Sequence, residues 1–135
     1  MRSLTLVSII LLATAVFSMP ARASVLEDLN KVVKEYGTEI KKEKPDYAPI
    51  NIHASDAINA ISKMTAEEAD AVVKLLQFDE AVDPGRIVFD NTFTVLQKNK
   101  AALDAALKKL PKREAADLNS HIRLAIEGNT KGQDQ

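Results

Sequence analysis

The stretch from Met64 to Phe78 constrains the fold of this chain more than any other part of the sequence. Thr65 and Glu68 fit a capping box, in which each side chain accepts a hydrogen bond from the backbone N–H of the other residue. The apolar residues that follow recur at the three- and four-residue spacing of one helical face. They are Ala69, Val72, Val73 and Leu76, with Leu75 and Phe78 widening the stripe. The pattern predicts an amphipathic helix that contacts neighbours on two sides.

Similar apolar stripes before and after this helix predict the fold class. A first helix is expected at about residues 25–36, and short stripes follow over 54–61, 88–96, 103–110 and 115–126. Residues 87–89 also suit a short strand by propensity, but no partner strand is visible, so a helix is preferred. The sequence therefore predicts an all-α protein, a compact bundle of about five to six short amphipathic helices without disulfides.

Local signals set the expected ends of these helices. Pro45 to Asn51 is predicted to be a loop, because its two prolines remove backbone donors. Asp83 is expected to cap a helix whose first residue is Pro84, and Asn99 is expected to cap the next helix. Gly128 is a good residue to end the last helix, which leaves 129–135 as a disordered polar tail.

The N-terminus has the pattern of a secretory signal. Arg2 gives a positive start, Leu4 to Phe17 is apolar, and Ala21-Arg22-Ala23 is a small-x-small cleavage site. We expect residues 1–23 to be removed, with cleavage near Ser18 as the next choice and an uncleaved anchor as the alternative. The predicted helical domain is then 24–128, and the predicted location is extracellular, or periplasmic in a bacterium.

The net charge and the lack of cysteine argue against a nucleic-acid-binding protein and against a fold held by disulfides. The net charge is −1, and the signal segment carries two arginines and no acid, so nucleic-acid binding is not expected. The chain has no cysteine, although small exported proteins commonly use disulfides. Its stability must therefore come from helix packing, from a ligand or from self-association.

The sequence lacks the residues that common enzymes need. There is no cysteine and no Gly-x-Ser-x-Gly elbow, and the chain has two histidines, His53 and His121, which are far apart in sequence. We expect surface or capping roles for both, and neither a catalytic residue nor a metal site nor a cofactor is predicted. The protein is therefore predicted not to be an enzyme.

Two charged patterns have plainer interpretations than a binding site. Asp79, Asp83 and Asp90 faintly resemble a calcium loop, but Ala81 takes a ligand position and Pro84 takes that of the turn glycine. Acidic helix caps are the preferred interpretation. The basic residues of 98–113 are expected to form a solvated helical face, with a basic rim that meets anionic head groups or a ligand carboxylate as the alternative.

The segment Ala54 to Leu76, with Met64-Thr65-Ala66-Glu67-Glu68 at its turn, resembles the nematode fatty-acid- and retinol-binding proteins. In that family a short helix leads through a Leu-Thr-x-Glu-Asp/Glu turn into an Ala/Val/Leu-rich helix, and the Ala/Leu/Lys-rich run 96–110 is loosely similar to later helices. The resemblance implies a secreted, all-helical carrier of fatty acids or retinol. The matching apolar positions that would line its cavity are Ile58, Ile61, Val72, Val73 and Leu76.

The apolar stripes extend this predicted cavity beyond the resemblance. We add four residues from the later helices: Phe89, Phe93, Leu103 and Leu107. The same wide stripes are also typical of an ordinary packed core. The alternative function is therefore a secreted helical antigen or effector that binds a host or cell-surface protein, and self-assembly through the stripes is a further alternative.

Overall fold

A computed structural model describes the backbone of residues 20–83 and 85–133 and the side chains of 25–83 and 85–131. Within these ranges the protein has six helices and no strand, which confirms the all-α prediction and decides against a strand at 87–89. The helices are α1 (Pro20–Glu39), α2 (Ala48–Asn59), α3 (Ala66–Val82), α4 (Ile87–Lys98), α5 (Lys100–Leu107) and α6 (Lys112–Gln133). None of the described helices is both long enough and apolar enough to cross a membrane.

Helix α3 lies at the centre of the bundle, where it packs against α1 on one side and α5 on the other. Its residues Ala69, Val72, Leu75 and Leu76 are fully buried. The capping box at its start is confirmed: the Glu68 N–H donates to Thr65 Oγ1 at 3.1 Å, and the Thr65 N–H donates to Glu68 Oε1 at 2.9 Å. The wide stripe predicted from the sequence is therefore buried by neighbours on both sides.

The remaining helices close the bundle around α3. Helix α2 packs against both α1 and α4, and α6 packs against α4. The largest fully buried side chains include Tyr36 of α1, Ile58 of α2, Phe89 of α4, Leu103 of α5 and Ile122 of α6. All five helices around α3 thus contribute to one continuous apolar core.

Helices α2 and α4 begin at positions that differ from the prediction. Helix α2 begins at Ala48, inside the predicted loop, because Pro49 fits a first helical turn that needs no N–H from it. Helix α4 begins at Ile87 rather than at Pro84. The N-cap residue of α4 is Arg86 and not Asp83, but Asp83 satisfies the first N–H of the helix, because its Oδ2 accepts from the Ile87 N–H at 2.6 Å.

Asn99 occupies the N-cap position of α5, as predicted, but its side chain makes no cap hydrogen bond to that helix. Its Oδ1 instead accepts from the Met64 N–H at 3.0 Å, and its Nδ2 donates to the Val95 carbonyl at 2.9 Å. Asn99 therefore ties the turn before α3 to the end of α4. This contact joins residues 35 positions apart in the chain.

The two ends of the chain extend beyond the predicted helical domain. Helix α6 continues past Gly128 to Gln133, where a polar tail was predicted, and Asn129 Nδ2 donates to Asp90 Oδ1 at 3.1 Å. Helix α1 begins at Pro20, so the predicted cleavage point after Ala23 falls in its first turn. The apolar run of the predicted signal, Leu4 to Phe17, lies outside the described residues.

We expect Thr65→Ala to lower the free energy of unfolding by about 1 kcal/mol, because it removes one half of the capping box. The matched control is Thr94→Ala, at an exposed helical threonine of α4, where the change should stay within about 0.5 kcal/mol. Urea denaturation followed by circular dichroism measures both. Equal effects of the two substitutions would contradict a stabilising role for the box.

Candidate functional site

The structure places most of the predicted ligand-binding residues in the apolar core. Eight of them are buried in one cluster: Ile58, Ile61, Val72, Val73, Leu76, Phe89, Leu103 and Leu107. The ninth, Phe93, is half-buried outside that cluster. None of the nine lines the three surface grooves described below. The structure therefore brings eight predicted residues together as packed core, and their role in enclosing a ligand stays a prediction.

The largest of these grooves runs between α2 and α4 and has a volume of about 650 Å³. We call it the α2–α4 groove; its lining residues are Ala48, Asn51, Ile52, Ser55, Asp56, Asn59, Ile87 and Asn91. Ile52 is 62% exposed and Ile87 is 50% exposed. Two large apolar side chains, one from each helix, therefore face water in the same concave surface.

The rest of the α2–α4 groove is polar and tied together by hydrogen bonds. Asn59 Nδ2 donates to the Asn91 carbonyl at 3.1 Å, which links α2 to α4 across the groove. The Ser55 hydroxyl donates to the Asn51 carbonyl at 2.9 Å. Asp56 is the only charged side chain among the lining residues. The groove thus offers apolar contacts surrounded by amide groups and one carboxylate.

A second groove of about 260 Å³ adjoins the first across α2, and Asp56 lines both. It lies between α1 and α2 and contains Asp28, Lys31, Glu35 and His53. Glu35 Oε2 lies 3.0 Å from His53 Nδ1. Acidic side chains outnumber the single lysine there, so this flank of the α2–α4 groove favours positive charge. A third groove, of about 400 Å³, lies further along α1.

A buried polar cluster lies behind the α2–α4 groove and consists of Tyr36, Asn51 and Asp79. The Tyr36 hydroxyl donates to Asn51 Oδ1 at 2.7 Å and lies 3.4 Å from Asp79 Oδ1. Asp79 is fully buried, and its Oδ2 has no hydrogen-bond partner among the described residues. The Tyr36 ring stacks on Phe78 with ring centroids 6.1 Å apart. Asn51 is a member of both the cluster and the groove lining.

Burial dominates the electrostatics of this cluster. Loss of hydration, and after it the nearby carboxylate of Asp83, raise the pKa of Asp79 to about 7, although the hydrogen bond from the Tyr36 hydroxyl acts in the opposite direction. The pKa of Tyr36 is also raised, first by burial and then by Asp79. Asp79 therefore changes its charge near neutral pH.

The sequence analysis missed this cluster, although one signal was present. Asp79 lies three residues beyond Leu76 and continues the apolar stripe of α3, so an acid occupies a core position. In the sequence, Tyr36 falls at the end of the predicted first helix and Asn51 at the end of the predicted loop. The sequence could mark Asp79 as unusual, but the partners come from two other helices and become neighbours only in the fold.

Each of the two histidines lies against a glutamate of another helix. His53 is exposed and contacts Glu35, while His121 Nδ1 lies 2.7 Å from Glu80 Oε1, with its ring edge-on to Phe89. Over the described ranges, no group of three histidine, cysteine or acidic residues could hold a metal ion.

The basic stretch of 98–113 is mostly a solvated face. Lys109 pairs with Asp70 at 2.9 Å, and Lys100 contacts Asp104 and also donates to Asn119 Oδ1 at 2.7 Å. Lys98, Lys108, Lys112 and Arg113 are exposed to solvent. These contacts join α5 to α6 and the turn after α5 to α3, so part of the stretch serves the packing of helices.

Comparisons with protein-family models, with curated proteins and with solved structures find no match to this chain. The resemblance to the nematode fatty-acid- and retinol-binding proteins therefore stays a prediction.

We expect the stability of the protein to fall as pH rises through neutrality. Asp79 has an ordinary pKa of 3.8 and a raised pKa of about 7 in the folded protein, so between these values the folded protein holds a proton that the unfolded chain has released. At about 1.4 kcal/mol per pH unit, this group lowers the free energy of unfolding by up to about 3 kcal/mol between pH 5 and pH 8.

Asp79→Asn should remove this slope, because the amide has no proton to lose in that range. The matched control is Asp117→Asn, at an exposed acid of α6, which should leave the pH dependence of the wild type unchanged. Urea denaturation at several pH values measures all three proteins. Parallel pH profiles for wild type and Asp79→Asn would contradict the raised pKa of Asp79.

Proposed function

We propose that this protein is a secreted, non-enzymatic binding protein that acts by protein–protein interaction, holding a segment of a partner protein in the α2–α4 groove. The observation that carries the proposal is the pair Ile52 and Ile87, two exposed apolar side chains on different helices of one groove. Full burial of one such side chain is worth about 1.5–3 kcal/mol. A partner that covers both gains most of its affinity there.

The polar lining of the groove suits a peptide better than a lipid tail. Asn51, Asn59 and Asn91 bring amide groups close to the two isoleucines. Amides can donate to and accept from a peptide main chain, whereas an alkyl chain has no hydrogen-bonding groups to satisfy them. An apolar centre with a polar rim is also the usual anatomy of a protein–protein interface.

Charge indicates which partner segment fits. Asp56 lies in the groove and Asp28 on its α1 flank, and neither forms an ion pair with another described residue. A fatty-acid carboxylate would be repelled by these groups, whereas a lysine or arginine of a peptide would be attracted. The best-fitting segment therefore carries an apolar side chain for the isoleucines and a basic side chain towards Asp56.

Carriage of a fatty acid or retinol is the second candidate function. The observation in its favour is that the eight buried residues predicted to line a cavity form one continuous apolar cluster reaching from α2 to α5. In the described conformation these side chains are packed against one another, so a ligand would have to displace core contacts. Such displacement requires helices to move apart, which makes this candidate the weaker of the two.

Selection from a displayed library of random twelve-residue peptides tests the groove directly. We expect the enriched peptides to share an apolar residue and a basic residue a few positions apart. Ile52→Asp should weaken their binding about ten-fold or more, since truncating or charging a central contact commonly costs over 1.4 kcal/mol. Fluorescence anisotropy of a labelled peptide measures the dissociation constants.

The matched control is Leu124→Asp, which places the same charge at another exposed apolar residue, on α6. This variant should bind the selected peptides as the wild type does. If no peptide is enriched, or if both variants bind equally well, the proposed interaction in the α2–α4 groove is wrong.

Native mass spectrometry with oleate and with retinol tests the second candidate. A carrier would show a one-to-one complex whose melting temperature rises with ligand concentration, because the ligand binds only the folded state. The peptide-binding proposal instead predicts a mass without ligand under both conditions. A one-to-one complex that survives in Ile52→Asp would favour carriage in the interior over binding in the groove.

A further inference from the structure

The side chain of Asn51 connects the surface groove to the interior of the protein. It lines the α2–α4 groove, is 8% exposed, and accepts the hydrogen bond of the Tyr36 hydroxyl through its Oδ1. The same hydroxyl lies next to the fully buried Asp79 carboxyl. Asp79, Tyr36 and Asn51 therefore form a chain of polar contacts that leads from a carboxyl group in the core to a side-chain amide in the groove.

The hydrogen bonds among Asp79, Tyr36 and Asn51 depend on whether the Asp79 carboxyl carries a proton. A phenol has a single hydrogen to donate, and at 2.7 Å the Tyr36 hydroxyl gives it to Asn51 rather than to Asp79 at 3.4 Å. A neutral Asp79 has a hydrogen of its own and can donate to the Tyr36 oxygen. An ionised Asp79 has none, and its charge attracts the hydrogen that Asn51 was receiving.

We propose that a proton on the buried Asp79 carboxyl controls the α2–α4 groove through the hydroxyl of Tyr36 and the side-chain amide of Asn51, an inference that rests on the proposed function of that groove. With the proton present, Tyr36 holds Asn51 in the orientation described here. Without it, Tyr36 turns its hydrogen towards Asp79, and Asn51 loses the contact that fixes its side chain. The groove is then less well organised for a partner.

Among the groups around Asp79, the carboxyl of Asp79 itself is the one whose protonation we expect to change most with pH. Tyr36 faces Asp79 from α1, Asp83 lies just after the end of α3, and α2 contributes the neutral Asn51. The Asp83 carboxylate is already held by the N–H groups of Gly85, at 3.1 Å, and Ile87, at the start of α4. Glu80, which follows Asp79 in the chain, contacts His121 of α6.

Nuclear magnetic resonance of the protein without any partner tests the coupling itself. We expect the side-chain amide signals of Asn51 to shift with pH between 5 and 9, with the same midpoint as the carboxyl carbon of Asp79. The shift should vanish in Asp79→Asn and in Tyr36→Phe. His53→Gln should keep it, which separates this route from the histidine two residues beyond Asn51 on α2.

Two results would overturn the inference: an Asp79 carbon that does not titrate in this range, or Asn51 signals that stay constant while Asp79 titrates. The titration of the wild-type protein alone decides whether Asp79 and Asn51 are coupled, so the test does not depend on whether Tyr36→Phe folds.

Binding of a library-selected peptide tests the functional consequence. We expect wild-type affinity to fall about five-fold or more from pH 6 to pH 8, the lower end of typical coupling between two sites. Asp79→Asn should show equal affinity at both values. Equal wild-type affinity at both pH values would overturn the control by the Asp79 proton but not the proposed binding of a peptide in the groove. Failure to select any peptide would overturn the proposed binding in the groove. The coupling of Asn51 to Asp79 is then decided by the magnetic resonance titration alone.

Discussion

The burial of α3 between α1 and α5 is the constraint on which the rest of this structure depends. A chain without cysteines has no covalent cross-link to limit its unfolded state, so its stability must come from apolar surface removed from water. Helix α3 is buried on several sides, since Ala69, Ala71, Val72, Val73, Leu75 and Leu76 all belong to the core. The capping box at Thr65 fixes where this helix begins and thereby sets the register of its contacts with both neighbours.

The cluster of Tyr36, Asn51 and Asp79 lowers the stability of the fold, because it places polar groups where apolar side chains could be removed from water. A carboxyl group that is fully buried and only partly hydrogen-bonded destabilises the fold when it is ionised, which is why its pKa lies near neutrality. Leucine at the same place on the α3 stripe would avoid that cost. An acid that interrupts an otherwise apolar face is therefore better explained by a polar role than by packing, and its hydrogen-bonded route to Asn51 supplies one.

The α2–α4 groove exists because two helices meet without covering each other fully. Helix α2 turns Ile58 and Ala54 into the core and leaves Ile52 outside, while α4 buries Val88 and Phe89 and leaves Ile87 outside. Both exposed residues lie near one concave surface whose other members are mainly amides. A binding role at the surface thus agrees with a packed interior, whereas a lipid carrier would need that interior to open.

The sequence by itself determined the helical class, the central helix with its capping box, and most of the residues of the core, because helical periodicity and capping are local patterns. Only the tertiary structure decided which apolar residues stay exposed, that Asn99 binds the Met64 N–H instead of capping α5, and that Asp79 meets Tyr36 and Asn51. These contacts join residues 15 to 43 positions apart. These contacts form because of the angles at which the helices cross and because certain side chains remove one another from water. The periodic pattern of a sequence specifies neither the crossing angles nor these pairs of side chains.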